Sequence, residues 1–274
     1  MMAVTDRHCR YFLRQLAPQV RLYTEMITAQ AVLRGNRRRL LGFDAVEHPV
    51  AVQLAGHDPS QLAEAARVAA DFGYDEVNLN VGCPSGRVQT GQFGACLMTD
   101  AERVARCVQA MRAAVSVPVT VKTRIGVDNH DSYEFLAMFV DQVARAGCET
   151  VIVHARKAIL RGLSPRENLA IPPLRPAVVH RLKVDFPHLT VIINGGVRTI
   201  EDIAGHLQHV DGVMLGRKVS DDPFFLTQVQ ARFFGDTRGC PAPDREAVVR
   251  RMYEYARRES GGGVRLHHVT RHML

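Results

Sequence analysis

Polar residues that could do chemistry stand at the ends of five successive apolar runs, each with the composition of a buried β-strand. They are Gln53, then Asn78, Asn80 and Cys83, then Lys122 and Arg124, then His154 and Arg156, and last Asn194. A single residue of this kind could be a structural polar group satisfied by hydrogen bonds. Five successive runs with the same ending instead predict one site, because parallel strands bring their carboxyl ends to one edge of a sheet.

Cys83 and Lys122 are the two reactive side chains of this set. Cys83 lies between Gly82 and Pro84, where a thiol can be a nucleophile, a proton donor or inert. Lys122 can be a Schiff-base amine, a cation that faces developing negative charge on a cofactor, or half of a buried ion pair. Position alone leaves these alternatives open.

Two glycine-containing turns, Asn194-Gly195-Gly196 and Leu215-Gly216-Arg217, follow the last two runs. Turns at this position in a barrel often present backbone N–H groups to a phosphate. Glycine lets the backbone approach the anion closely, and Arg217 can add a charge-assisted contact. The alternative interpretation is that Gly195 and Gly196 only form a tight turn.

Seven β-rich runs alternate with longer helical patterns, which is typical of parallel βα units. The runs cover residues 20–27, 49–55, 76–83, 118–124, 150–155, 189–195 and 211–216. Their starts are 22 to 42 residues apart, the length of one βα unit, and predict an α/β protein with a (β/α)₈ barrel. A doubly wound open sheet is the alternative, but no G-x-G-x-x-G motif follows any run.

Helical patterns precede, separate and follow the runs. A segment at 6–16 comes before the first run, so we expect the missing strand before residue 1, with Met1 and Met2 as its remnant. Patterns at 60–72 and 101–115 begin at Asp58 and at Thr99 or Asp100, and Gly73 and Gly147 stand where helices should stop. After a linker at 235–243, a basic helix at 244–259 ends at three glycines. We predict a barrel domain at 1–234 and an incomplete helical domain at 235–274.

Composition narrows the class of protein. The chain has 274 residues, of which 46% are hydrophobic and 23% charged, as in globular proteins. Its net charge of +7 is compatible with an anionic partner and with a solvated basic surface. Part of the excess lies in a loop-like stretch, at Arg34, Arg37, Arg38 and Arg39, and part in the C-terminal segment 245–271.

Cysteine usage and hydropathy predict a reduced cytoplasmic protein. The six cysteines form no C-x-x-C pair, which argues against zinc ribbons and clustered iron–sulfur ligation, so we expect free thiols and no metal. Those within or beside helical patterns are interpreted as small buried hydrophobic residues: Cys96, Cys107 and Cys148. No apolar run reaches about 20 residues, and the start lacks the regions of a signal peptide.

Six motifs together resemble the tRNA-dihydrouridine synthases, and among them the A-type bacterial subfamily, over essentially the whole chain. They are TDRHCR at 5–10, LNVGCPS at 79–85, VKTR at 121–124, VHARK at 153–157, INGGV at 193–197 and MLGR at 214–217. The resemblance implies a flavin-bearing (β/α)₈ barrel with a C-terminal helical domain. It implies reduction of the C5–C6 bond of uridine in the tRNA D-loop with FMN and NADPH, at positions 20 and 20a.

The resemblance also assigns roles to residues. Cys83 would protonate C5 opposite a hydride that enters at C6, Asn80 and Arg156 would contact the uracil, and Lys157 and Arg166 would meet tRNA. The residues that would hold FMN are Met1, Met2, Gln53, Lys122, His154, Asn194, Gly195, Gly196, Gly216 and Arg217, the last four around its phosphate. The protein is expected to be a monomer.

The ends of the chain depart from the family pattern. The family's first strand ends in a Pro-Met-Met-Asp-Trp-Thr-like stretch, whereas Met1-Met2 is followed here by Ala3-Val4-Thr5. We therefore expect weaker binding of FMN or tRNA than in a complete relative. Three alternatives stay open: a Schiff-base lyase that uses Lys122, another flavin barrel such as a dihydroorotate or enoate reductase, and a non-catalytic RNA-binding protein.

Overall fold

A computed structural model describes residues 4–86, 90–235 and 244–273. The described residues form two compact units. The terminal unit comprises the described parts of 1–25, 42–51 and 216–274, and the central unit those of 26–41 and 52–215. The predicted domain boundary after residue 234 stays a prediction.

Seven strands form one sheet whose spatial order is the chain order. They are β1 Leu22–Thr28, β2 Val50–Ala55, β3 Glu76–Val81, β4 Val119–Arg124, β5 Thr150–His154, β6 Thr190–Asn194 and β7 Gly212–Met214. The pairs from β3 to β7 are parallel. Six of the predicted runs contain one of these strands, and the run at 20–27 overlaps β1, which ends one residue later. A doubly wound sheet reverses its strand order at a switch point, and this sheet does not, so the barrel-type order is confirmed.

The middle strands are buried on both faces. Every residue of β2 and β3 is buried, including the polar side chains of Gln53 and Asn78. Parallel strands that are covered on both faces lose the alternation of apolar and polar residues. The polar residues within these runs are therefore inside the molecule and must find partners there.

Helices follow most strands, and polar side chains cap the first turns of several of them. In chain order the helices are α1 Arg7–Leu16, α2 Ala29–Arg34, α3 Arg37–Leu41, α4 Pro59–Asp71, α5 Ala101–Ala114, α6 Tyr133–Arg145, α7 Pro176–Asp185, α8 Ile200–Leu207, α9 Arg217–Asp221, α10 Phe225–Phe233, α11 Arg245–Gly261 and α12 Leu266–Thr270. The Asp58 carboxylate accepts from Gln61 N, and Asp100 accepts from Arg103 N. Both predicted N-caps are confirmed.

Glycine ends two helices as predicted. Gly73 has φ +95° and Gly147 has φ +97°, and both directly follow the last turn of a helix. This left-handed conformation is costly for residues with a Cβ and free for glycine. The chain can therefore reverse at once into β3 and β5.

The basic stretch near residue 35 is not the loop that the sequence predicted. Arg34 is the last residue of α2, and the other three arginines open α3. The Asn36 side chain accepts from Arg39 N at 3.0 Å, and Leu41 is completely buried. Helices this short do not show the hydrophobic period that identifies longer ones.

The terminal unit holds α1 and the C-terminal helices. Asp244 caps α11, which ends at the predicted glycines, and the short helix α12 follows them. Met1, Met2, Leu274 and all but the first residue of the linker at 235–243 lie outside the described residues.

The described residues also show the state of the cysteines and the hydropathy of the helices. Five cysteines are free thiols, and Cys240 lies outside the described residues. Cys107 and Cys148 are buried as predicted, whereas Cys96 is only half-buried. In the described ranges no helix is long and apolar enough to cross a membrane, and no group of three or more metal-ligating side chains is placed to hold a metal ion.

Candidate active site

The strand register places the predicted residues side by side. Arg124 of β4 pairs with His154 of β5, and His154 pairs with Asn194 of β6. Asn80 of β3 pairs with Lys122, two residues before Arg124. The carboxyl edge of the central unit therefore carries these residues at neighbouring levels of one sheet, as the sequence predicts.

A chain of buried hydrogen bonds orients the carboxamides at this edge. Asn80 Nδ2 donates to Gln53 Oε1 at 2.7 Å, and Gln53 Nε2 donates to Asn78 Oδ1 at 2.8 Å. Asn78 Nδ2 donates to Thr120 Oγ1, whose hydroxyl donates to Glu76 Oε1 at 2.6 Å. Since the chain ends on a carboxylate that can only accept, the direction of every bond is fixed. The Asn80 oxygen is thereby aimed at the loop that carries Cys83.

Asn80 also shapes the Cys83 loop. Its Oδ1 accepts from Gly82 N at 3.1 Å and from Cys83 N at 3.0 Å. A side chain that accepts hydrogen bonds from the backbone N–H groups two and three residues ahead forms a local turn. These N–H groups then do not pair with the neighbouring strand. For this reason β3 ends at Val81 rather than at Cys83, which corrects the predicted run. Cys83 is half-buried, and its Sγ lies 3.6 Å from Ser85 Oγ.

Lys122 is a half-buried cation with a neutral partner. Its Nζ donates to Asn194 Oδ1 at 3.1 Å, and Asn194 Nδ2 donates to Met214 O at 2.8 Å. Burial lowers the pKa of Lys122 to about 8, and the positive charge of Arg124 adds to this, while Cys83 opposes it. In the described part of the chain no carboxylate lies within ion-pair distance of this ammonium. Within the described residues, the ion-pair interpretation of Lys122 is therefore wrong.

Arg124 holds three loops together. Its Nε donates to Gly82 O at 2.9 Å, and its Nη1 donates to Lys157 O at 3.1 Å and to Asn168 O at 3.2 Å. Burial lowers its pKa to about 10, with Cys83 opposing this and Arg156 adding to it. These carbonyls belong to the Cys83 loop, to the turn after β5 and to a segment near Arg166. The guanidinium thus fixes the positions of three loops that carry predicted site residues.

The turn after β6 requires glycine at two positions. Gly195 has φ +108°, and a Cβ there would lie 2.5 Å from His154 Cδ2. Gly196 has φ +79°, and its Cβ would lie 2.3 Å from Leu174 Cδ1. Both the conformation and the space exclude other residues. A tight turn alone explains these glycines, so their contact with a phosphate stays a prediction.

Gly216 and Arg217 lie in the terminal unit, at the start of the short helix α9. The Gly216 carbonyl accepts from Val219 N at 3.0 Å, and both residues are exposed. A Cβ built on Gly216 would meet no atom within 4 Å. Packing therefore does not demand glycine here, and the open space leaves room for a ligand close to the backbone.

Two of the residues predicted to meet uracil or tRNA, Arg156 and Lys157, have protein partners, and a third is exposed. Arg156 Nη1 donates to Ala170 O at 3.2 Å and also to Pro172 O. Lys157 Nζ forms an ion pair with Asp131 Oδ2 at 2.9 Å. Arg166 is exposed just before the turn Glu167–Leu169. Arg166 is therefore directly accessible to an anion, whereas Lys157 is partly neutralised, and the roles of all three stay predictions.

Comparison with known proteins identifies the family. The dihydrouridine synthase family matches residues 1–274 of the sequence. The chain is a dihydrouridine synthase family member. This confirms the predicted resemblance and the (β/α)₈ barrel class of its fold.

Relatives of this dihydrouridine synthase family member cover the whole chain. A protein of Salmonella typhimurium strain LT2 is 56% identical over 276 residues, which span 100% of this chain and 82% of that protein. One from Synechocystis sp. strain PCC 6803 is 55% identical over 100% of this chain and is covered to 81%. Both are named tRNA-dihydrouridine(20/20a) synthase.

A solved structure shows the same kind of fold at low identity. Histamine dehydrogenase from Rhizobium sp. 4-9 aligns with a TM-score of 0.61 and 13% identity, over 82% of this chain and 43% of that chain. At this identity the likeness concerns the fold alone.

Sequence reasoning missed some residues that build this dihydrouridine synthase family site. Asn168 is completely buried, accepts from Ile159 N at 2.7 Å and donates back to Ile159 O at 2.9 Å. Glu76 and Thr120 end the carboxamide chain. A carboxylate inside a buried strand run is a signal that could have identified Glu76. Asn168 lies in an irregular segment whose pattern gives no such signal.

Proposed function

We propose that this protein reduces the C5–C6 double bond of uridine in the D-loop of tRNA, at positions 20 and 20a, with FMN as cofactor and NADPH as reductant. The observation that carries the proposal is identity of 55 to 56% over the whole chain to proteins named tRNA-dihydrouridine(20/20a) synthase. Catalysis at one end of parallel strands agrees with the position of the site in barrel enzymes.

Cys83 is the proton donor in this proposal. Its S–H bond would break as a C–H bond forms at C5, and the hydride that enters at C6 would come from FMN when that cofactor is bound and reduced. Proton and hydride together account for the two hydrogens of dihydrouridine. The charges of Lys122 and Arg124 both interact with Cys83, so the thiolate left after proton transfer faces two cations.

The chemistry of the site fits FMN. Lys122 and Arg124 bring positive charge without a carboxylate, which suits a cofactor that becomes anionic when reduced. Further residues proposed to hold FMN or its phosphate share a place at strand ends or in glycine turns: Met1, Met2, Gln53, His154, Asn194, Gly195, Gly196, Gly216 and Arg217.

The target base must leave its stack to reach such a site. Asn80 can still donate one N–H, because Oδ1 accepts twice and Nδ2 makes one bond. We assign Asn80 and Arg156 to the uracil, and Lys157, Arg166 and the basic helices within 235–274 to tRNA phosphates. Phosphate contacts of this kind are independent of sequence and weaken with salt.

The test uses Cys83→Ala with Cys148→Ala as the matched control, since Cys148 is a buried free thiol outside the site. Both variants should keep the visible absorbance of the flavin and lose it on addition of NADPH. Only Cys83→Ala should reoxidise slowly with unmodified tRNA and form dihydrouridine about 10² to 10⁴ times more slowly. Wild-type product formation by Cys83→Ala would refute this role, and a protein that cannot be loaded with FMN would refute the cofactor.

A further inference from the structure

A cavity in the central unit lies beside the Cys83 loop. It has a volume of about 320 Å³ and lies at the carboxyl ends of β1 and β2, with the segment 90–93 along its remaining side. The side chains that give it its character are Gln30, His57, Gln61, Gln92 and Phe93. This volume is at the lower end of ligand sites, so the cavity suits a ligand of about the size of one base.

The lining mixes polar and apolar groups. Three carboxamides, an imidazole, an aromatic ring and the Asp58 carboxylate border the cavity, and no lysine or arginine is among its described lining residues. Carboxamides can donate and accept at once, which suits the edges of a nucleobase, and an aromatic ring can stack on its face. A phosphate would find no partner of opposite charge here.

The nearby start of α4 does not provide an anion site either. The Asp58 carboxylate accepts from Gln61 N at 2.8 Å and from Ser60 Oγ at 2.8 Å. Its negative charge therefore already occupies the end of the helix that attracts anions. The local charge favours a neutral ligand over a dinucleotide pyrophosphate.

The cavity wall is continuous with the catalytic loop. Ala95 N donates to Cys83 O at 2.9 Å, and Cys96 Sγ donates to Phe93 O at 3.0 Å. The residues after Phe93 are thus bonded directly to Cys83. A ligand in the cavity and a base at Cys83 would touch two sides of the same short segment.

The segment keeps an unusual backbone where it meets the cavity. Gln92 has φ +55°, a left-handed conformation that is uncommon for a residue other than glycine. A Cβ on Gly91 would lie 2.2 Å from Phe93 Cε1, so glycine is what lets the ring lie against the backbone. Such conformations persist where surrounding structure enforces them, and they cluster at ligand sites.

We propose that this cavity binds the base of the nucleotide next to the target uridine, so that carboxamides and Phe93 help to select which uridine reaches Cys83. The inference rests on the proposed function, because it needs a tRNA substrate. The neighbouring base would be held by hydrogen bonds and stacking while the target base is turned out of its stack.

The experiment combines protein variants with altered tRNA. Gln30→Ala/Gln61→Ala removes two carboxamides, and Gln92→Gly removes the third while it permits the same backbone conformation. Gln109→Ala is the matched control, since Gln109 is exposed on α5 outside the cavity. The substrates are an unmodified tRNA transcript and two transcripts with an abasic nucleotide 5′ or 3′ of the target. Each pair is measured as kcat/KM for dihydrouridine.

On the intact transcript, the cavity variants should lose about tenfold in kcat/KM, and Gln109→Ala should lose nothing. With wild-type protein, kcat/KM should fall about as much on one of the two abasic transcripts. With the cavity variants, that transcript should cause no further fall, because the abasic nucleotide and the substitution remove the same interaction. The inference would be overturned if the effects of substitution and abasic nucleotide on kcat/KM multiplied on both abasic transcripts. It would also be overturned if the cavity variants had the same kcat/KM as Gln109→Ala.

A flavin readout separates this inference from the proposed function. NADPH-dependent bleaching without tRNA should be unchanged in the cavity variants. Loss of flavin in these variants would overturn the inference by assigning the cavity to the cofactor. Absence of dihydrouridine with wild-type, flavin-loaded protein would instead refute the proposed function, and this inference with it.

Discussion

Two charged side chains of the terminal unit, Arg10 and Asp6, lie against opposite charges, whereas Lys122 and Arg124 of the central unit donate to neutral oxygens. Arg10 Nε lies 2.6 Å from Glu47 Oε2, with side chains 5% and 0% exposed. Asp6 accepts from Arg271 and lies 3.0 Å from His272 Nε2. Burial opposes ionisation of Asp6, but its hydrogen bonds with His272 and Cys9 N hold its pKa well below the usual value.

From this difference we infer that the paired charges stabilise the fold and that the charges of Lys122 and Arg124 serve the chemistry of the site. A buried ion pair needs no ligand to balance its charges. Removal of one partner, however, leaves the other as an uncompensated buried charge. A cation that is shielded from water and has no carboxylate partner lowers the free energy of unfolding. Proteins retain such cations mainly at functional sites. The comparison therefore predicts that variants of the paired charges at Arg10 and Asp6 change stability, and that variants of the two central cations change chemistry.

The largest stability effect is expected from Arg10→Met. Burial raises the pKa of Glu47 even with Arg10 beside it, so removal of the guanidinium leaves a carboxylate that is costly to ionise. We expect the free energy of unfolding in urea to fall by about 3–5 kcal/mol. Dihydrouridine formation per folded molecule should not change.

The double variant Arg10→Met/Glu47→Gln is the control for Arg10→Met. The carboxamide oxygen introduced in place of Glu47 would still accept from Asp44 N, as Glu47 Oε1 does at 2.8 Å, but the side chain would carry no charge. The second substitution should restore at least half of the lost free energy. A single variant that loses less than about 1 kcal/mol would show that this pair is not a buried ion pair in solution.

Arg124→Ala should affect chemistry through the loops that Arg124 holds. Three carbonyls lose their donor, so the Cys83 loop can shift relative to the turn after β5. A displacement of about 1 Å can cost about a hundredfold in rate, and we expect such a loss in kcat with a smaller change in KM for tRNA.

Added guanidinium ion tests whether Arg124 is a positioning residue. It should restore part of the kcat of Arg124→Ala and have no effect on Arg145→Ala, which removes an exposed arginine that pairs with Asp141 on α6. A loss of stability with no rescue would mean that Arg124 is needed only for folding.

The lowered pKa of Lys122 predicts a pH dependence of stability. Its folded pKa of about 8 is below the ordinary lysine value of 10.5, so the unfolded chain binds this proton more tightly. Stability therefore rises with pH between these values, by about 2 kcal/mol from pH ~7.5 to ~9.5. Urea unfolding of Lys122→Met should lack this rise, so the difference between the two proteins isolates it. Parallel pH curves would contradict the shift.

The sequence predicted the elements of the central unit better than their partners. Strand runs and the caps at Asp58 and Asp100 follow from local patterns, which depend on neighbours along the chain. The position of Lys122 at a strand end could be predicted, but its bond to Asn194, 72 residues away, could not. Arg124 was visible as a polar strand end, whereas its three carbonyl partners depend on loops with no pattern.

In the helices at residues 29–41 the elements themselves could not be predicted from the sequence. Their charged composition predicts a loop, but Asn36 and the burial of Leu41 make helix the better local choice. Tertiary burial overrides propensity most easily in such short segments, since one capping bond and one apolar contact decide them. The same limit hides the paired charges of the terminal unit, whose partners are far apart in sequence.

Tyr255→Phe should give the smallest effect and shows whether the buried contacts of α1 with α11 act through stability alone. His8 Nδ1 lies 2.7 Å from Tyr255 Oη, and the Tyr255 ring stacks on Tyr11 with centroids 3.8 Å apart. Phenylalanine keeps the stack and removes the hydrogen bond, so we expect a loss of about 1 kcal/mol in urea unfolding. Exposed Tyr253→Phe is the control and should lose almost nothing. If Tyr255→Phe instead lowered kcat for dihydrouridine without a change in stability, this buried cluster would take part in chemistry and its assignment as structural would be wrong.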